Sequence, residues 1–88
     1  MEILQTNKFR KAYKKLTKIQ LNDVNLAIRE IIKDPTIGEQ KVGDLSWLKV
    51  YKFRSLKQLI LLGYSTDKEK LTFVDIGSHE NFYRDLKK

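Results

Sequence analysis

Apolar residues recur at helical spacing in the N-terminal third of the chain. From Lys8 onward they fall three or four positions apart, at Phe9, Ala12, Tyr13, Leu16 and Ile19. The residues between them are mostly lysine and arginine, so the segment has one apolar and one basic face. This spacing predicts an amphipathic helix whose apolar face packs against the rest of the protein.

A second stripe with the same period follows, at Leu21, Val24, Ala27, Ile28, Ile31 and Ile32. Asn22 is a favourable N-cap residue, and the pair Asp34-Pro35 prevents the helix from continuing. The pattern therefore predicts a second helix from about Asn22 to Lys33. Because the link between the two helices is short, we expect an antiparallel helical hairpin.

After Pro35 the pattern becomes that of strands. Residues 36–46 contain turn-forming glycines and predict a loop. Trp47 to Arg54 alternates, so that Trp47, Tyr51 and Phe53 share one face, which we expect to be core, while Lys52 and Arg54 share the other. Further strands are predicted at 58–64 and 71–76, with turns at 55–57 and 65–70 and a candidate edge strand at 1–5.

The order of these elements indicates the fold class. Gly77-Ser78 ends the last strand, and residues 81–88 predict a short helix. The order β-α-α-β-β-β followed by this helix indicates an α+β fold, in which an N-terminal helical hairpin packs on a small antiparallel or mixed sheet. The first strand is expected to pair with a later one. Eighty-eight residues allow one core, so we expect a single domain over 1–88.

The charge and composition narrow the possible partners. The net charge is +7, which attracts polyanions, and nucleic acid, the ribosome or an acidic protein all fit. Cysteine is absent and there is a single histidine, so no disulfide or zinc site is expected. The glycines lack nucleotide-binding spacing, and no cofactor is expected. The longest apolar run, 59–62, is far too short for a membrane helix. We expect a cytoplasmic protein that does not bind membranes.

Several short motifs in the C-terminal half follow one another at a characteristic spacing: Gly43–Leu45, Val50–Arg54, Leu61–Tyr64 and Val74–His79. The C-terminal stretch Gly77–Arg84 delivers Gly-x-His after the last strand. In this series the chain resembles the RelE/ParE superfamily of toxins from type II toxin–antitoxin systems, and the ending resembles a ParE-like branch. The resemblance spans roughly 80 residues and implies the same α+β fold.

The resemblance implies that His79, Arg54 and Tyr83 are catalytic. His79 would serve as general acid or base, Arg54 would stabilise the phosphate in the transition state, and the ring of Tyr83 would lie near the scissile nucleotide. Lys41, Lys52 and Arg84 are candidates for RNA or phosphate contacts. From the residues alone, His79 is equally a solvent-exposed strand-end residue, Arg54 a sheet-edge cation, and Phe82-Tyr83 an anchor for the last helix.

Two functions follow from the resemblance. RelE-like members are metal-independent, ribosome-dependent endoribonucleases that cut messenger RNA, and we expect this enzymatic activity. The alternative is a ParE-type toxin that inhibits DNA gyrase by protein–protein contact, without catalysis. Both imply a cognate antitoxin with a flexible, acidic segment, a hetero-oligomer with that antitoxin, and a monomeric toxin on its own.

Overall fold

A single mixed sheet organises residues 1–86, which are the residues that the computed structural model describes, with side chains through Arg84. The elements are β1 (Glu2–Gln5), α1 (Asn7–Lys14), α2 (Lys18–Lys33), β2 (Glu39–Gln40), β3 (Lys49–Ser55), β4 (Gln58–Asp67), β5 (Lys70–Ser78) and α3 (His79–Leu86). This is the predicted α+β order with one added short strand, β2. The last two residues of the predicted final helix, 87 and 88, lie outside the described range.

The sheet has the order β1-β5-β4-β3-β2. β1 pairs with β5 in parallel, which confirms that the first strand joins a later one, and all other neighbours are antiparallel. The predicted turn at 65–70 was wrong in extent. Ser65 and Thr66 continue the ladder opposite β5, and the turn is confined to Lys68 and Glu69. Polar side chains suit this strand end because both faces there are open to solvent.

Threonine residues cap both N-terminal helices. Thr6 Oγ1 accepts a hydrogen bond from the backbone N–H of Phe9 at 3.0 Å. Thr17 and Gln20 form a capping box, in which each side chain accepts from the other residue's backbone N–H. The predicted N-cap at Asn22 was therefore wrong, since α2 begins at Lys18. Ile19 belongs to α2, not to the first helix, and is 56 % exposed.

The two faces of the sheet carry separate apolar clusters. On one face α1 and α2 bury Phe9, Val24, Ala27 and Ile31 against β4 and β5. On the other face, which we call the α3 face, Phe82 of α3 packs on four buried residues of the sheet and its edge: Leu48, Val50, Leu61 and Val74. None of the three helices in the described part of the chain has the length and apolar composition that a membrane span requires.

Alternation along β3 sends side chains to both faces, as the sequence predicts. Tyr51 and Phe53 pack against the cluster under α1 and α2, while Val50 packs on the α3 face. Trp47 was predicted to be core, and this was wrong: it precedes β3 and its side chain is 50 % exposed. Leu48, which the alternation placed on the opposite face, is the buried residue at this point.

The loop before β2 is held by a buried tyrosine. The hydroxyl of Tyr64 donates to the carbonyl of Pro35 at 2.7 Å and accepts from the backbone N–H of Gly38 at 2.9 Å. Burial is the main cause that raises the pKa of Tyr64. These bonds fix the path of the chain into β2 and so place Glu39 and Lys41 beside β3.

Candidate functional site

A cluster of charged side chains lies where β2, β3 and α3 meet. Glu39 Oε1 lies 3.1 Å from Lys41 Nζ and 3.8 Å from Lys52 Nζ. The Lys41 ammonium also lies over the ring of Tyr83, 5.3 Å from its centroid, in a cation–π contact. We call Glu39, Lys41, Lys52 and Tyr83 the lysine cluster. It brings together three of the residues that the sequence singled out.

The charges of the lysine cluster shift one another's titration. The pKa of Lys41 is raised, first by the Tyr83 hydroxyl beside its ammonium and also by Glu39, while burial acts in the opposite direction. The pKa of Glu39 is lowered, mainly by the hydrogen bond from Lys41 and by the charges of both lysines. Among the described residues, Tyr83 Oη is buried without a well-formed hydrogen bond, so the ring face is the better-defined contact for Lys41.

Tyr83 is also part of the packing of α3. Its ring meets that of Phe82 edge to face, with centroids 5.2 Å apart, and it borders the apolar cluster of the α3 face. The ring of Tyr83 therefore both anchors α3 to the sheet and contacts Lys41. One half-buried ring joins the apolar cluster to the charged one.

His79 lies in an open groove at the other end of the α3 face. It is the first residue of α3 and is exposed. The groove has a volume of about 340 Å³ and is lined by Gln58, Leu59, Ser78, His79 and Glu80. Because β5 leads directly into α3, the helix start presents both His79 and Glu80 to this groove.

Arg54 lies across the sheet from His79. It pairs with Leu59, whereas Ile60 pairs with Ser78, so the position after Ser78 falls beside Leu59 in the register. Two strand spacings separate Arg54 from His79, or roughly 10 Å between their Cα atoms. Within the described residues the two side chains share no hydrogen bond or ion pair.

The position of Arg54 is open to both faces. Alternation directs it to the α3 face with Lys52, but β2 covers only Lys49 and Val50 of β3. The rest of β3 is a free edge, and Arg54 also borders a hollow of about 210 Å³ beside α2. Asp23 and Glu30 lie in that hollow, without an ion pair to Arg54 among the described residues. Arg54 is thus a sheet-edge cation by position, and the hollow that it lines is the one beside α2, not the groove of His79.

The sequence model of one family, described as ParE-like toxin of type II bacterial toxin–antitoxin system, matches residues 3–87. The chain belongs to this family. A comparison with curated protein sequences found no match.

Solved structures share the fold of this ParE-like toxin. A chain of the intact Escherichia coli RelBE toxin–antitoxin complex superposes with a TM-score of 0.73 at 18 % identity, covering 91 % of this chain and 98 % of that one. The isolated Escherichia coli RelE toxin gives 0.71 at 16 % identity, covering 98 % and 95 %. The solution structure of the conserved hypothetical protein HP0894 from Helicobacter pylori gives 0.67 at 19 % identity, covering 93 % and 98 %. The fold is therefore that of RelE-like proteins.

The ParE-like toxin places its predicted site residues in three locations. Lys41, Lys52 and Tyr83 belong to the lysine cluster, while His79 and Arg54 flank Leu59 in the register and only His79 of these two lines the groove. Arg84 is separate: its guanidinium donates to Asn81 Oδ1 at 2.6 Å, within α3, and the side chain is exposed.

Sequence reasoning missed two acidic residues of this surface, Glu39 and Glu80. Glu80 follows His79 directly and was available as a neighbour in the sequence. Glu39 lies two positions before Lys41, so strand alternation would have placed both side chains on one face. That signal was hidden because 36–46 was predicted to be a loop without a strand.

Proposed function

We propose that this ParE-like toxin is a metal-independent endoribonuclease that cuts messenger RNA on the ribosome. The observation that carries the proposal is the register of β3, β4 and β5. It brings Arg54 and His79 to positions on either side of Leu59, and Leu59, His79 and Glu80 line one open groove.

The chemistry needs two proton transfers and a positive charge. The RNA 2′-oxygen attacks the adjacent phosphorus, its proton passes to a base, and the departing 5′-oxygen receives a proton as its bond to phosphorus breaks. His79 performs one transfer, because an imidazole both accepts and donates protons near neutral pH. Glu80 is the other titratable group in the groove. Arg54 binds the phosphate oxygens as negative charge develops on them.

The lysine cluster would hold the RNA backbone beside the groove. Lys52 lies two residues before Arg54 on the same strand face, about 7 Å away along the strand. Lys41 and Lys52 would contact phosphates. When Lys41 moves away from the ring of Tyr83 to do so, the ring would be free to stack on a base. In the free toxin the carboxylate of Glu39 pairs with the ammonium groups of Lys41 and Lys52, and it occupies the position that an RNA phosphate would take.

Replacement of Glu39 by glutamine is expected to strengthen RNA binding. The change removes the carboxylate that pairs with both lysines, so we expect the dissociation constant for a short single-stranded RNA to fall by roughly three- to tenfold. Fluorescence anisotropy measures this. Glu69→Gln removes the same charge from an exposed turn residue without an ion pair in the described structure and is the matched control. Equal gains in both variants would contradict a specific role for Glu39.

The toxin is proposed to form a hetero-oligomer with a cognate antitoxin and to be monomeric without it. A relative of the same fold, Escherichia coli RelE, has been solved in a toxin–antitoxin complex. The net charge of +7 favours an antitoxin with an acidic, flexible segment, because opposite charges speed capture. Binding to the folded state would also stabilise this small chain.

A second candidate is inhibition of DNA gyrase by direct contact. The match to the ParE-like family over residues 3–87 favours it, since ParE-type toxins act in this way. Induced expression separates the two functions. Cleavage at defined positions in ribosome-bound transcripts, with gyrase supercoiling unaffected by the purified toxin, is expected for the nuclease. Inhibited supercoiling with intact transcripts would overturn the proposed function in favour of the alternative.

A further inference from the structure

The net charge of the toxin is concentrated in one segment. Residues 3–22 contain six of the eighteen lysine and arginine residues and none of the eleven aspartate and glutamate residues. The other twelve basic residues are nearly balanced by the eleven acidic ones, so almost all of the net charge of +7 comes from this segment. The basic residues of the segment lie on α1 and at the start of α2. Both helices pack on the side of the sheet opposite to α3.

The cations of this segment form a continuous surface. Phe9 is buried against the sheet, and a rotation of 100° per residue turns Lys11 and Lys14 to the opposite side of α1. The α1 basic face consists of five exposed residues: Arg10, Lys11, Lys14, Lys15 and Lys18. None of these five has a carboxylate within 4.0 Å among the described residues.

This arrangement works against the stability of α1. The pairs Arg10–Lys14 and Lys11–Lys15 are four residues apart, and Lys11–Lys14 three, so like charges face each other on a helix of eight residues. The helix C-terminus offsets only part of this repulsion. Solubility does not require such clustering, because interspersed charges of both signs serve it equally. A bound polyanion would remove the repulsion.

The chemistry of the surface favours nucleic acid over protein. No large apolar side chain is exposed from Thr6 to Lys18, and Ile19, which follows Lys18, is the one exposed apolar residue next to the α1 basic face in sequence. Stable protein interfaces rely on clusters of buried aromatic and apolar anchors, and one isoleucine at the border does not supply such a cluster. A phosphate backbone, in contrast, is bound largely by positive charge and the release of its counterions.

We propose that the α1 basic face binds the phosphate backbone of double-helical RNA, as a second contact separate from the groove of His79. Because α1 and α3 lie on opposite sides of the sheet, a short strand in the groove does not also cover α1. The RNA at α1 is therefore a separate segment. A duplex fits this face better than a single strand, because an A-form helix is recognised by shape and backbone, whereas single strands stack on exposed aromatic rings and none is exposed from Thr6 to Lys18. The inference rests on RNA as the target but not on cleavage.

The test is salt-dependent binding to an RNA duplex of about 16 base pairs, a length that double-strand-binding modules span. Full 2′-O-methylation prevents attack by the 2′-oxygen, so binding is measured without cleavage. The test variant carries Lys11→Gln, Lys14→Gln and Lys15→Gln. The control carries Lys33→Gln, Lys57→Gln and Lys70→Gln, which are equally exposed and without ion pairs in the described structure but are scattered over the surface.

We expect the test variant to lose at least about tenfold in affinity at about 0.1 M salt, and the slope of log affinity against log salt to become shallower by about 2 to 3. The control is expected to change the slope by less than about 1. Thermal unfolding of both variants establishes that they are folded. Equal losses in the two variants would show that only net charge matters and would overturn the proposal.

Two competing partners give different outcomes. Tighter binding of an acidic polyglutamate peptide than of the duplex, lost in the test variant, would assign the face to an acidic protein and overturn the proposal. Tighter binding of a single strand of the same length would also overturn it. If the toxin binds the duplex but leaves transcripts intact, the proposed nuclease activity is refuted and the duplex-binding role of the α1 basic face is supported. If the toxin cleaves transcripts but does not bind the duplex, the duplex-binding role is refuted and the nuclease activity is supported.

Discussion

Replacement of His79 by alanine is expected to abolish growth inhibition and to reduce RNA cleavage by about 10²- to 10⁴-fold, the contribution of one positioned acid–base group. His79 is the only histidine of the chain and lies exposed in the groove of the α3 face. Because its side chain has no structural bond among the described residues, the loss should not come from unfolding. Primer extension on transcripts from induced cells measures cleavage, and thermal unfolding measures stability.

A companion variant tests the neighbouring residue, to which the second proton transfer is assigned. Glu80→Gln changes the same groove at the next position and removes a carboxylate instead of the imidazole. If His79 transfers one proton and Glu80 the other, His79→Ala and Glu80→Gln both lose activity. His79→Asn, which keeps a polar side chain but cannot transfer a proton, is then as inactive as His79→Ala. A His79→Ala variant with full toxicity and an unchanged cleavage pattern would refute the catalytic role. The same variant with normal gyrase inhibition would favour the contact mechanism.

The sequence predicted those parts of the fold that depend on local periodicity. The alternation in Trp47 to Arg54 placed Lys52 and Arg54 together, because successive side chains of a strand point to opposite faces of the sheet. It failed at Trp47 itself, where the strand had not yet begun. The start of α2 was predicted too late although the capping box of Thr17 and Gln20 was present, because Ile19 lies at helical spacing from Leu16 and so extends the apolar stripe of the first helix.

The lysine cluster could not be predicted from the sequence, because it depends on the direction in which α3 crosses the sheet. Lys41 and Tyr83 are far apart in the chain, and no periodicity relates a loop residue to a C-terminal helix. What brings them together is the packing of Phe82 on the α3 face. A Cβ at Gly63 would lie 2.6 Å from Phe82 Cζ, so the ring fills the space that this glycine leaves open. The site geometry thus follows from one apolar contact.

That contact gives the second large expected effect. Phe82 is 1 % exposed and is the buried residue by which α3 joins the apolar cluster of Leu48, Val50, Leu61 and Val74. Phe82→Ala removes a ring from a filled site, which costs about 3–5 kcal/mol in comparable cores. A chain of 88 residues has a free energy of unfolding of about 4–13 kcal/mol, so the loss is a large share of the total. Urea unfolding followed by circular dichroism measures it.

Tyr83→Phe separates the packing of α3 from the chemistry at its surface. The Tyr83 hydroxyl is buried without a well-formed hydrogen bond in the described structure, so its removal should change the free energy of unfolding by less than about 1 kcal/mol. The aromatic ring of residue 83, over which Lys41 lies, is retained in this variant.

If Phe82→Ala also costs less than about 1 kcal/mol, α3 is not held in place by the ring of Phe82. If it costs the expected amount and the toxin still cleaves RNA at the normal rate, the position of α3 does not matter for His79. Loss of both stability and cleavage in Phe82→Ala, with Tyr83→Phe normal in both, would show that the groove of His79 depends on the packing of the Phe82 ring.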